Sequence, residues 1–215
     1  MKTKRKALLL SLCAVLLVVA SVMGTMAYLT SSDTVTNTFT VGSVAIKLDE
    51  AKANTDGTLV PNADRVKANS YKLIPGHTYN KDPMVTVLQG SERSYIKMTV
   101  TFTKADALDT IFAPNGADLT SIFDGYDSAN WIYKGNTEDT TEKTRTYEFW
   151  YKNAVPATTE DVALDALFDR ITVPGNINND QLATIEGMTI TVNAYAIQAD
   201  GFADAAAAWA AYPAD

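Results

Sequence analysis

Two stretches of this chain change sides at every second residue, and that period constrains the fold more than any other feature. In Tyr95–Thr103, Ile96, Met98, Val100 and Phe102 face one way while Tyr95, Lys97, Thr99 and Thr101 face the other. In Met188–Gln198, Met188, Ile190, Val192, Ala194 and Ala196 alternate with Thr189, Thr191, Asn193 and Tyr195. Successive side chains of a strand point to opposite faces, so both read as antiparallel strands. The first has one wet face; the second carries apolar groups on both faces near Ile197 and is expected at the centre of its sheet.

Shorter runs with turn residues at their ends extend the pattern. Met84–Leu88 and Phe168–Val173 are expected strands, separated from their neighbours by Asp82-Pro83 and Pro174-Gly175, and Pro75-Gly76 marks a further turn. Trp131-Ile132-Tyr133 and Tyr147–Tyr151 flank the charged turn Gly135–Lys143 and read as a hairpin rich in aromatics. Residues 49–69, with Asn54-Thr55-Asp56-Gly57 and Pro61-Asn62, read as a long surface loop that has room for a short hairpin. Helical spacing is brief: Asp106–Phe112, Leu119–Phe123 and Asn178–Glu186, with Asp161–Phe168 open between helix and loop. The tail, 199–215, is alanine-rich and favours a helix that Phe202, Trp209 and Tyr212 can dock. Strands with helices confined to the connections predict an all-β, jelly-roll-type antiparallel sandwich over 49–198, followed by the helical tail.

The N-terminus is built differently. A basic start containing Lys2, Lys4, Arg5 and Lys6 precedes the apolar run Ala7–Met23, the pattern of a secretory signal. Thr25 and Ala27 supply small residues at the two positions a signal peptidase reads, so cleavage is expected after Ala27, leaving Tyr28 first; an uncleaved membrane anchor is the alternative. Cys13, the single cysteine, lies in that run, so no disulfide is expected in the mature domain; apolar residues continuing to Met23 speak against a lipobox. Removing the leader takes the formal charge from -7 to -11, and such an acidic chain repels nucleic acid and anionic membranes. Contact with a membrane is expected only through an uncleaved leader.

From Val35 the period-two pattern returns. Val35, Phe39 and Val41 share a face, and beyond Gly42 the apolar set shifts by one residue to Val44, Ile46 and Leu48. Either one strand carries a bulge at Gly42 or two strands meet at a turn there. An isolated strand of this length cannot offset its ordering entropy by burying a few apolar side chains, so it needs a host sheet, in its own domain or in a neighbouring copy.

Catalytic constellations are not expected. The only histidine, His77, sits in the turn PGHTY, which excludes a HExxH helix, and there is no GxSxG elbow, phosphate loop or mature cysteine. Asp124, Asp127, Glu138, Asp139 and Glu142 fall in loops where carboxylates can gather calcium, without EF-hand spacing. No cofactor and no metal site is expected. The aromatic hairpin raises carbohydrate binding as an alternative to cross-strand packing.

Three ordered blocks carry a resemblance. GTMAYLTSSDTVTNTFTVGSV resembles export signals processed by the SipW-type signal peptidase of Gram-positive bacteria, and LIPGHTYNKDPMVTV and ITVNAYAIQADGF are similar to blocks of the TasA/camelysin family. The resemblance implies a secreted jelly-roll subunit of the extracellular matrix or cell surface that polymerises head to tail with itself into biofilm-matrix fibres, alongside accessory matrix proteins. It also implies that the N-terminal strand of one subunit completes the sheet of the next, with Val35, Phe39, Val41, Val44, Ile46 and Leu48 as donor positions. The camelysin label implies a cell-surface metallo-endopeptidase as the alternative, and a monomeric surface ligand-binding module stands third.

Overall fold

The computed structural model describes residues 2–27, 42–112 and 122–213. The chain divides into two compact units, 1–41 and 42–215. In the first, α1 (Lys2–Ala27) is a single helix that includes Thr25 and Ala27. Among the described residues no helix is long and apolar enough to cross a membrane. Tyr28, Val35, Phe39 and Val41 lie outside the described residues.

The second unit is the expected all-β, jelly-roll-type antiparallel sandwich. Its four-stranded sheet runs β5 (Trp131–Asp139), β6 (Thr144–Tyr151), β4 (Ser94–Thr103), β9 (Ile190–Gln198). A second sheet joins β1 (Ile46–Asp49), β3 (Met84–Val87) and β7 (Val162–Ala163), and β2 (Thr78–Asn80) pairs with β8 (Arg170–Thr172). All the strand pairs are antiparallel. Short helices fill connections: α2 (Ala105–Phe112), α3 (Asn179–Thr184) and the tail helix α4 (Ala205–Ala210).

Alternation along β4 does what its period requires, for Ile96, Met98, Val100 and Phe102 are fully buried. They join Val85 and Val87 of β3, Tyr147 and Phe149 of β6, and Phe123, Phe168 and Ile171 in one core. Caps set the helix starts. Asn178 and Gln181 bond each other's backbone N–H in a capping box, and Asp204 accepts from the Ala207 N–H at 2.8 Å. At Gly57, with φ +88°, any Cβ would meet the Thr78 carbonyl oxygen at 2.7 Å, so this turn requires glycine.

Ile46 and Leu48 sit in β1, paired with Val87 and Val85 of the same domain. Several other elements differ from expectation. Gly135–Asp139 is strand rather than turn: the hairpin continues past a bulge between Tyr133 and Gly135, and only residues 140–143 turn. Asp161–Phe168 forms the two-residue β7 and a loop, not a helix. Ile122 and Phe123 lie in a turn, while 119–121 fall outside the described residues. Among the described residues β9 is an edge strand, not a central one. Its outer face is apolar near its end because the tail covers it: Tyr195 meets Tyr212 edge-on at 5.7 Å, and Lys97 lies 4.8 Å from the Trp209 ring.

Candidate functional site: the outer edge of β9

Every strand edge must be paired, covered or protected by charge, or it will accept another chain. The outer edge of β1 is covered. Glu50 exchanges backbone bonds with Val66 at 2.9 and 2.8 Å, Arg65 donates to the Asp49 carbonyl at 3.2 Å, and Lys67 donates to that of Leu48 at 2.5 Å. The β5 edge bulges after Tyr133 and carries Lys134, Glu138 and Asp139. Strands β2, β7 and β8 have three residues or fewer. Strand β9 differs from all of these. Its nine residues, ITVNAYAIQ, contain no charge and no proline.

Register shows which backbone groups that edge offers. The Thr103 N–H donates to the Thr189 carbonyl at 3.1 Å and the Ala199 N–H to the Arg93 carbonyl at 2.7 Å. Both pairs belong to the β4–β9 register, so odd-numbered residues of β9 bond to β4. Ile190, Val192, Ala194, Ala196 and Gln198 therefore direct their N–H and C=O groups away from the sheet.

The same residues turn their side chains inward, opposite fully buried partners on β4, yet Ile190, Val192, Ala194 and Ala196 are only half-buried. Strand β1 lies close to β9, and its Ile46 and Leu48 are half-buried too. Among the described residues no strand pairs with this outer edge of β9. At the β9 end near Gln198 the chain enters the domain: Glu92 N–H donates to the Ser43 carbonyl at 2.9 Å, one residue from the Arg93 that pairs with Ala199. At the Ile190 end of β9 lies a cavity of about 860 Å³, with Tyr71, Leu73, Leu182, Met188 and Ile190 in its apolar lining and Lys81 and Asn69 beside them.

Next to that cavity lies a buried charge cluster that the sequence did not disclose. The Lys81 ammonium is 2.6 Å from Glu50 Oε2, and both residues are buried. Asn69 donates to Glu50 Oε1 at 2.9 Å. Arg65 bridges Asp49 at 2.5 Å and Asp82 at 2.8 Å, tying the 49–69 loop to the ends of β1 and β2. Burial alone pushes the Asp49 carboxyl up, but hydrogen bonds from Lys47 and Arg65 outweigh it and hold the group below its ordinary value. A carboxyl lowered on folding stabilises the fold above its unfolded value and loses that contribution as pH falls through its folded one. Urea unfolding of the native chain should therefore lose stability below about pH 4, and Asp49→Asn should make the loss shallower. An equally steep loss in the variant would place the titration elsewhere.

The remaining polar residues singled out in the sequence are dispersed. His77 is exposed in its turn, where its carbonyl accepts from the Val173 N–H at 2.9 Å. Asp124 pairs with Arg170 at 3.3 Å, and Glu138 with Arg145 at 2.5 Å. Asp127 caps the 128–130 turn, Asp139 accepts from the Thr141 and Glu142 N–H groups, and Glu142 is exposed. Among the described residues no three His, Cys, Asp or Glu side chains are placed to hold a metal ion. Trp131, Tyr147 and Phe149 are buried in the core, so these hairpin aromatics pack rather than form an exposed platform. Cys13 is exposed on α1, and Val44 is half-buried ahead of β1.

Compared with family models, with curated proteins and with solved structures, the chain matches none.

Proposed function

We propose that this protein is a secreted structural subunit that assembles with copies of itself into extracellular biofilm-matrix fibres by donating its N-terminal strand. The observation that carries the reading is the half-buried inner face of β9 at an edge that is uncharged and, among the described residues, unpaired. A segment with the pattern of a further strand stands in the same sequence. Val35, Phe39 and Val41 form an apolar face at period two in a segment that precedes the compact β-unit, which begins at Gly42. Ile46 and Leu48 are held in their own sheet, so donation falls to the part before Gly42. The resemblance of the leader and two later blocks to the TasA/camelysin family, and of the leader to substrates of a SipW-type peptidase, supports the same reading. No described constellation favours the metallo-endopeptidase alternative.

Electron microscopy of protein beginning at Tyr28, beside protein lacking 28–41, tests it. Fibres are expected from the first and only dispersed particles from the second. Fibres from both would remove the N-terminal strand from assembly.

A further inference from the structure

We propose that Lys81 and Asn69 become joined by an amide bond between Nζ and Cγ, formed by the folded chain itself with Glu50 carrying the protons. The bond ties the 49–69 loop to the end of β2 and does not depend on strand donation.

Three elements bring the groups together. Glu50 follows β1 and is fixed by its backbone exchange with Val66. Lys81 follows β2, and its N–H donates to the Asp169 carbonyl at 3.0 Å. Asn69 stands at the end of the 49–69 loop. One carboxylate serves both nitrogens: Glu50 Oε2 lies 2.6 Å from the Lys81 ammonium, and Oε1 accepts from Asn69 Nδ2 at 2.9 Å. Amine and amide are therefore neighbours, and both border the cavity at the Ile190 end of β9. The rest of the amide is fixed as well. Its Nδ2 also donates to the Ala51 carbonyl at 2.8 Å, and its Oδ1 accepts from the Ala53 N–H at 2.9 Å. Glu50 and Lys81 are buried, which keeps water from competing for them.

These are the groups that amide exchange needs. A side-chain amide is a poor electrophile, and an ammonium has no lone pair with which to attack it. Lys81 gives a proton to Glu50 Oε2, and the amine so formed attacks Asn69 Cγ, moving the C=O electron pair onto Oδ1. The Ala53 N–H is placed to stabilise that oxyanion. Glu50 passes its proton on to Nδ2 and takes a second from Nζ. The Cγ–Nδ2 bond then breaks, and the nitrogen departs with the second proton as ammonium. Lys81 has lost two protons, the departing nitrogen has gained both, Glu50 is again a carboxylate, and nothing is oxidised or reduced. Well-aligned neighbours of this kind react with effective molarities of about 10⁵–10⁸ M, which an encounter between separate molecules does not reach.

The bond supplies what cysteine cannot. Cys13 is the only cysteine in the sequence and lies in the apolar leader, so the β-unit can form no disulfide of its own. Linking 69 to 81 closes the chain between them into a ring and restricts the unfolded state. Variants that lack Glu50 stay unlinked, and their Lys81 keeps its ammonium.

The test is a tryptic digest of the purified full chain, read by mass spectrometry. Trypsin should cut after Lys72 but not after an acylated Lys81, so Ala68–Lys72 is expected joined to Leu73–Arg93, lighter than the two together by one ammonia. Glu50→Gln, which keeps the shape but does not take up the proton, should lower the linked fraction at least tenfold, and Lys81→Arg should abolish it. Free Ala68–Lys72 with cleavage after Lys81 in the native chain overturns the proposal. So does ammonia lost within Ala68–Lys72 alone, which is closure of Asn69 onto the backbone of Ser70. A Glu50→Gln chain linked as fully as the native one overturns the proton-carrying role.

Discussion

Replacing Glu50 by alanine is expected to cost about 3–5 kcal/mol of stability, because it strands a buried ammonium. Glu50 and Lys81 are 5% and 7% exposed, and their charged atoms lie 2.6 Å apart. Taking two charges from water is costly, so the intact pair adds little; removal of one partner leaves the other uncompensated. Asn69 would lose one of its two acceptors as well, and with it one tie holding the 49–69 loop. Chemical denaturation should show the loss as a lower midpoint, and heating should show a fall of roughly 10 °C in Tm. The decisive comparison is Glu50→Ala with Lys81→Met. If stranded charge causes the loss, the double variant recovers most of it. A double variant no more stable than the single would locate the cost in the loop's packing instead.

That cluster also marks a limit of reading the chain by eye. The pairings made by Arg65 and Lys81 span 16 to 31 residues, and nothing local in Asp49-Glu50, Arg65 or Lys81 announces a partner. The strand β4 was legible because a period of two reports which face is buried, and its four inner residues are indeed fully buried. The same period cannot report what lies beside a strand. In β9 apolar residues on both faces suggested a central place, but Tyr195 packs against the tail's Tyr212, with Lys97 over both its ring and that of Trp209, which produces the same pattern at an edge. Likewise Gly135–Asp139 reads as a charged turn, whereas its glycine accommodates a bulge and its charges protect a strand edge. The candidate site was half legible. The pattern of Val35, Phe39 and Val41 reads as a strand in need of a sheet, while the edge that stands unpaired among the described residues emerges only when charge, cover and length are compared around the sandwich.

Phe123→Ala should match the loss at Glu50, at about 3–5 kcal/mol, for the opposite physical reason. Its ring is 1% exposed and meets four others: Phe168 at 4.8 Å, Tyr147 at 5.3 Å, Phe149 at 5.7 Å and Phe102 at 5.8 Å. The contacts to Tyr147 and Phe149 are edge-on, a geometry that adds to the area buried. Those partners come from β4, β6 and the segment leading into β8, each held by its own strand pairing, so the surroundings cannot collapse to fill the space. Phe123→Leu keeps part of the volume and should cost less than half as much. Urea unfolding with an unchanged slope would attribute the loss to the folded state. A cost below about 1 kcal/mol would mean that the cluster repacks around a missing ring, contrary to the rigidity that its strand ties imply. Because Phe102 lies opposite Ile190 on β9, a cavity behind that strand should also loosen its edge, and amide exchange of β9 should quicken in Phe123→Ala at temperatures where the domain is still folded.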